Sequence, residues 1–142
     1  MFRAPAGRSG LSVGGWIMSG DETFLIVDDA RLARKMVRSF VAKARPDITI
    51  FEAAEGEEAL KVLAGITDLH YATIDYNMPG MNGMELAAIV QERCPAARIA
   101  LLTANVQAAL RKRAADLGIG FIDKPINETK IAAFIAEAGQ AS

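Results

Sequence analysis

The chain has 142 residues, 51% hydrophobic and 23% charged, with a formal net charge of −1, which suits one globular domain with a full core. That balance offers no basic surface for nucleic acid, and no apolar run approaches the length needed to span a bilayer, so neither a nucleic-acid nor a membrane role is expected. Cys94 is the only cysteine, which excludes an internal disulfide and points to a reducing compartment, with the cytoplasm as the expected location.

Residues 1–20 hold five of the twelve glycines, carry Arg3 and Arg8 without an acid, and show neither helical nor strand periodicity. The stretch LSVGGWIM is short, is broken by Gly14 and Gly15 and lacks a small-residue cleavage site, so it does not read as a signal peptide. The segment opening at Met18 looks like a natural start. The expected organisation is therefore a flexible extension over 1–21, one domain over 22–139 and a short tail over 140–142.

From residue 22 onward, short apolar runs alternate with amphipathic stretches: 23–27 then 31–44, 48–53 then 57–64, 71–74 then 84–93, 98–103 then 106–117, and 120–122 then 128–138. The runs FLIV and IALL are apolar without alternation, as strands covered on both faces are, whereas ITIFEA partly alternates, as an edge strand does. Five β-α repeats predict a doubly wound α/β domain, a five-stranded parallel sheet with helices on both faces. Leu32, Met36, Val37, Phe40 and Val41 are expected to form the inner face of the first helix, and Ile131, Phe134, Ile135 and Ala138 that of the last.

In such a sheet, ligands bind beyond the carboxyl ends of the strands, where the strand order reverses. The first strand ends in Asp28 and Asp29, the third in Asp75 and the fourth in Thr103, and the fifth is followed by Lys124 and Pro125. A flavodoxin-like order 2-1-3-4-5 would make the first and third strands neighbours and gather three carboxylates in one crevice. A hard divalent cation relieves their repulsion, and Mg²⁺ suits a site with few carboxylates, retained waters and a phosphate oxygen. Thr103 and Lys124 then supply donors for the remaining phosphoryl oxygens, and Asp75 supplies a nucleophile that forms an acyl phosphate.

The segments FLIVDD, DYNMPGMNG, LLTAN and FIDKP, in this order and on these strands, resemble the receiver domain of bacterial response regulators, over about residues 22–139. The resemblance implies that Asp75 is the phosphoacceptor and that Asp29, Asp75 and the backbone carbonyl of Asn77 ligate Mg²⁺, with Asp28 acting through water. It makes Thr103 and Lys124 the phosphoryl-binding hydroxyl and ammonium, and Ala104 the small neighbour that leaves room for the phosphoryl group. Thr103 and Phe121 become the switch pair, and Lys124–Pro125 is implied to be cis. Family members with tyrosine at the position of Phe121 offer a partner a hydroxyl, which Phe121 does not. Gly83 fits the turn into the third helix, and Ala53, Gly56, Ala59 and Leu60 fit the second β-α unit. The implied partners are a sensor histidine kinase or a histidine phosphotransfer protein and a downstream target. No output domain is expected after the fifth helix, so the role is a chemotaxis-type switch or, alternatively, a phosphorelay intermediate, and in neither case a turnover enzyme.

Two other chemistries fit less well. A haloacid-dehalogenase-type phosphohydrolase needs an acid two residues after its nucleophile, where this chain has Asn77. A nucleotide-binding module needs a glycine-rich loop, where this chain has DDARLAR. His70 is expected to be a surface or capping residue, Cys94 and the methionines packing residues, and Arg111–Arg113 a solvated run bordering the surface that receivers offer to targets. Trp16 has no assigned role.

Overall fold

Each predicted apolar run forms a strand and each stretch after it a helix: β1 (Thr23–Val27), α1 (Arg31–Ala44), β2 (Thr49–Ala53), α2 (Gly56–Ala64), β3 (Tyr71–Asp75), α3 (Gly83–Arg93), β4 (Arg98–Thr103), α4 (Ala108–Asp116), β5 (Gly120–Asp123) and α5 (Glu128–Gln140). The computed structural model describes residues 22–104 and 107–140, so the expected extension over 1–21 lies outside the described residues, as do Trp16 and residues 141–142. The side chain of Ala138 also lies outside them.

The strands pair in parallel in the order β2-β1-β3-β4-β5. Successive side chains of a strand point to opposite faces, and both faces here are covered, which is why FLIV and IALL are apolar without a break. On one face Leu25, Val27, Ala72, Ile74, Ile99 and Leu101 pack with Ala59, Leu63, Leu86, Ala87, Val90 and Ala114 of α2, α3 and α4. On the other, Phe24, Ile26, Tyr71, Ala100 and Leu102 pack with Val37 and Val41 of α1 and Ile131, Phe134 and Ile135 of α5. Burying each of the larger aliphatic side chains contributes about 1.5–3 kcal/mol, the main force holding the three layers together. Among the described residues no helix is long and apolar enough to cross a membrane.

The inner face of α1 is narrower than expected. Val37 and Val41 are buried, with Phe40 and Ala44 packed against them, but Leu32 is 69% exposed and Met36 43% exposed. At about 100° per residue, Met36 lies about 100° and Leu32 about 140° round the helix from Val37, off the stripe that faces the sheet. Being apolar did not place them inside.

Chain order 1-2 runs outward from β1 in one direction and 3-4-5 in the other, so the reversal falls between β1 and β3. Right-handed crossovers then put α1 and α5 on one face and α2 to α4 on the other. The loops after β1 and β3 diverge there, leaving a crevice at the carboxyl end of the sheet.

Candidate functional site

The pairing of Val27 with Ile74 sets Asp28 beside Asp75, one step further along both strands. Carboxylate oxygens of Asp28, Asp29 and Asp75 all lie within 4.8 Å of one another, with Asp28 and Asp75 buried and Asp29 exposed. Asp28 is fixed at several points: its N–H donates to Ala53 O at 3.1 Å, and its Oδ1 accepts from Ala30 N–H at 2.9 Å. Its Oδ2 is buried with no hydrogen-bond partner among the described residues. Burial is the main cause that lifts the Asp28 carboxyl above the ordinary range, with the charges of Asp75 and Asp29 adding to it against the Ala30 hydrogen bond and Lys124.

Asp75 is raised for the same leading reason, burial, and is held down by Lys124 and by a hydrogen bond from the Asn77 backbone. Lys124 Nζ donates to Asp75 Oδ1 at 2.6 Å. The ammonium reaches it because Thr103 pairs with Asp123 and the Lys124 N–H donates to Thr103 O at 3.0 Å, which carries the β4–β5 ladder one residue past the strands. The Lys124–Pro125 peptide is cis. Thr103 is buried at the end of β4, beside Asp75, since Asp75 pairs with Leu102.

The loop after Asp75 is clamped at its far end. Asn82 caps α3 reciprocally with Glu85: the Glu85 N–H donates to Asn82 Oδ1, and the Asn82 N–H to Glu85 Oε1, each at 3.0 Å. The Gly83 N–H donates to Tyr76 O at 2.9 Å, and a Cβ on Gly83 would lie 2.4 Å from Asp75 O. Only glycine lets α3 start against the Asp75–Tyr76 peptide. Gly80 turns the loop at φ +77°, and Asn77 lies exposed on it between the two anchors.

Asp28, Asp29, Asp75, Thr103 and Lys124 thus meet at one end of the sheet, with Ala104 exposed directly after Thr103. Phe121 stands apart from this group, half-buried on β5. The Arg111 guanidinium lies 4.6 Å from the centroid of its ring and donates to Asp123 Oδ1 at 2.9 Å, so the first residue of the basic run on α4 is engaged with β5. His70 lies at the opposite end of the sheet, where its Nδ1 accepts from the Thr23 N–H at 3.2 Å, a capping arrangement. Cys94 is half-buried, and burial pushes its thiol up.

Two residues beside the crevice escaped sequence reasoning. Arg34 Nη1 donates to Asp28 O at 2.7 Å, and Arg34 Nε to Glu52 Oε1 at 3.2 Å. Arg34 is one of five basic residues on α1, with Arg31, Lys35, Arg38 and Lys43, so the helix pattern does not single it out; its position six residues after Asp28 is the only signal in the sequence.

The donor set fits a hard divalent cation. Three oxygen ligands converge, two of them on buried residues, and the unpartnered Asp28 Oδ2 is an acceptor that a hydrated cation would satisfy. One ammonium does not neutralise three carboxylates.

A family model described as the response regulator receiver domain matches residues 24–136. The cyclic di-GMP phosphodiesterase response regulator RpfG of Xanthomonas campestris is 34% identical over 91% of this chain and 35% of its own length. The chemotaxis protein CheY of Listeria monocytogenes is 30% identical over 82% of this chain and 97% of its own length. The chain therefore spans about a third of the first relative and nearly all of the second. Among solved structures, the chemotaxis response regulator CheY4 of Vibrio cholerae superposes with a TM-score of 0.73 at 25% identity, covering 83% of this chain and 98% of that one. With the sheet order, the acidic crevice and the family match in agreement, the chain belongs to the response regulator receiver domain family of two-component signalling.

Proposed function

We propose that Asp75 accepts a phosphoryl group from a histidine kinase or histidine phosphotransfer protein in the cytoplasm, and that the domain then acts as a chemotaxis-type switch on a downstream protein. The observation that carries this reading is the placement of Asp75: a buried carboxylate with Lys124 Nζ 2.6 Å from one oxygen and two further carboxylates within 4.8 Å. An Asp75 oxygen attacks phosphorus, the bond from phosphorus to the donor's histidine nitrogen breaks, and the histidine leaves as Asp75 becomes an acyl phosphate. Lys124 and the Thr103 hydroxyl donate to the phosphoryl oxygens, and Ala104 leaves them room. Asp29, Asp75 and the Asn77 carbonyl would hold Mg²⁺, with Asp28 acting through water. When bound, Mg²⁺ supplies the charge that offsets the carboxylates and the incoming phosphoryl oxygens.

Asn77 stands where a phosphohydrolase of the haloacid dehalogenase type carries its second acid, so the phosphoryl group is held rather than turned over. The domain catalyses its own phosphorylation and slow dephosphorylation and has no further substrate. Residues 22–139 form the receiver unit. The likeness to CheY over 97% of its length favours the switch role.

Incubation with Mg²⁺ and acetyl phosphate, followed by peptide mass spectrometry, tests the reading. One phosphoryl group on Asp75, absent from Asp75→Asn, is the expected result. A stable phosphate on Thr103 or elsewhere refutes it, and transfer from phosphorylated Asp75 to a histidine phosphotransfer domain assigns the phosphorelay role.

A further inference from the structure

We propose that Arg34 is a positioning residue for the acidic crevice: its guanidinium holds the Asp28–Asp29 peptide in the orientation that turns both carboxylates toward one cation, and Glu52 holds the guanidinium in place. This inference rests on the reading of the crevice as a Mg²⁺ site.

Asp28 is anchored at its N–H by Ala53 O and at its Oδ1 by Ala30 N–H. The remaining backbone group is its carbonyl, and Arg34 Nη1 donates to it at 2.7 Å. Because a peptide unit is planar, the direction of that carbonyl sets the direction of the Asp29 N–H and the path of the chain into Asp29. Asp29 is exposed, so backbone direction rather than packing aims its carboxylate. A carbonyl freed to rotate would swing Asp29 relative to Asp28 and Asp75.

The guanidinium suits this task because its planar fork carries several fixed donors. One donor takes the Asp28 carbonyl of the β1–α1 loop, and Nε takes Glu52 Oε1 on β2 at 3.2 Å. Glu52 in turn accepts from Arg38 Nε on its other oxygen. Hydrogen bonding from Arg38 is the main cause that holds the Glu52 carboxyl below the ordinary range, so Glu52 is anionic. That charge matters. An uncompensated cation beside three carboxylates would compete with Mg²⁺, and Glu52, shared with Arg38, offsets part of the Arg34 charge where it lies. The Arg34 side chain is only 18% exposed, which limits screening and side-chain motion. A lysine has one point of attachment and reaches the carbonyl or Glu52, not both in one rigid geometry.

The test uses the full chain as wild type, Arg34→Ala, Arg34→Lys and Glu52→Gln. Four quantities are measured: Mg²⁺ affinity by chemical-shift titration, amide hydrogen exchange at Asp29 and Ala30 in metal-free protein, thermal unfolding, and the rate of Asp75 phosphorylation by acetyl phosphate. Arg34→Ala is expected to weaken Mg²⁺ binding by about tenfold or more, the usual effect of removing a group that orients ligands, and to speed exchange of the Ala30 amide. Arg34→Lys, which keeps the charge but not the two-point attachment, and Glu52→Gln are each expected to fall between wild type and Arg34→Ala. At saturating Mg²⁺ the rate of Asp75 phosphorylation by acetyl phosphate should return to within about threefold of wild type, because the loss lies in placing the cation and not in the transfer itself. Unchanged Mg²⁺ affinity and unchanged exchange in Arg34→Ala, with only a lower melting temperature, would show a merely structural role and overturn the inference. If Arg34→Ala fails to fold, Arg34→Lys and Glu52→Gln decide it, and affinity equal to wild type in both overturns it. A wild-type protein that binds no Mg²⁺ would instead overturn the reading of the crevice, and the inference with it.

Discussion

Lys124 and Asp75 are 49 residues apart in the chain, yet the ammonium of one donates to the carboxylate of the other at 2.6 Å, spanning from the end of β5 to the end of β3 across β4. The bond opposes the burial that raises the Asp75 carboxyl, so it favours the ionised nucleophile in a crevice shared with two other acids.

Replacing Lys124 with Met should therefore act twice. It leaves a buried carboxylate without its cation, costing about 1 kcal/mol of stability after allowance for the part-exposed ammonium, and it slows phosphorylation of Asp75 by removing a donor to the phosphoryl oxygens. Adding Asp75→Asn to Lys124→Met should restore most of the stability and none of the phosphorylation, as read by urea unfolding and mass spectrometry. Equal stability losses from Lys124→Met in the wild-type and Asp75→Asn backgrounds would show that the pair is not coupled.

Asp28 should be a liability to the fold in the absence of metal. Its carboxyl is raised chiefly by burial, so the folded state holds the proton more tightly than the unfolded chain does. Such a group lets stability fall as pH rises from the ordinary aspartate range through the raised folded value. Asp28→Asn keeps the acceptor for Ala30 and removes the charge. Metal-free thermal melts should match wild type at acid pH and exceed it by about 2–5 °C at neutral pH, a gain of roughly 1 kcal/mol. Mg²⁺ should narrow the gap by stabilising the wild type more than the variant, which keeps the direct ligands but loses the water-mediated one. A variant less stable than wild type at neutral pH contradicts this account.

Gly83 should tolerate no side chain. The added Cβ would meet Asp75 O at 2.4 Å and Tyr76 Cα at 2.7 Å, both backbone atoms, so relief requires moving the Asp75–Tyr76 peptide or the start of α3. Gly83→Ala is expected to lower stability by about 1–3 kcal/mol, as overpacking does, and to weaken Mg²⁺ binding through the shifted loop that carries Asn77. Gly80→Ala serves as a control, since it strains the turn at φ +77° with nothing within 4 Å of its Cβ. It should cost stability with a smaller effect on Mg²⁺.

The site was legible because its residues end strands. Apolar runs such as FLIV and IALL are recognisable alone, and the residue after each run has its place in the crevice settled by the sheet order. Asp28, Asp29, Asp75, Thr103 and Lys124 all follow that rule. Leu32 and Met36 were misplaced because hydrophobicity was read without the angle, which puts both off the Val37–Val41 stripe. Arg34 and Arg111 were hidden for another reason. Each contact joins a helix charge to a group on a neighbouring strand or loop, Arg34 to Asp28 O and Arg111 to Phe121 and Asp123, and helix periodicity says nothing about which exposed-side charges reach back.

The last prediction concerns the proposed switch. If the Thr103 hydroxyl turns to a phosphoryl group on Asp75, it vacates space toward β5, and Phe121, half-buried beside the core under α4, is the aromatic placed to move. Arg111 resists that motion, since its guanidinium lies 4.6 Å from the Phe121 ring centroid and donates to Asp123 at 2.9 Å. A partly exposed cation–ring contact is worth about 0.5–1 kcal/mol and an exposed ion pair less, so Arg111→Ala should raise the equilibrium constant for the moved state roughly threefold to fivefold in both unphosphorylated and phosphorylated protein. Thr103→Ala should permit some phosphorylation while uncoupling it from the β5 edge, and Phe121→Ala should leave phosphorylation nearly intact while weakening partner binding. Because phenylalanine offers no hydroxyl, a partner reads the ring by packing alone. Chemical-shift mapping with Mg²⁺ and beryllium fluoride follows the coupling: shifts should extend from Asp75 through Thr103 to Phe121 in wild type, stop at residue 103 in Thr103→Ala, and in Arg111→Ala begin part-way along the same path before any phosphoryl mimic is added. Wild-type shifts confined to Asp28, Asp29, Asp75 and Lys124 would leave Phe121 as a packing residue and the switch without its moving part.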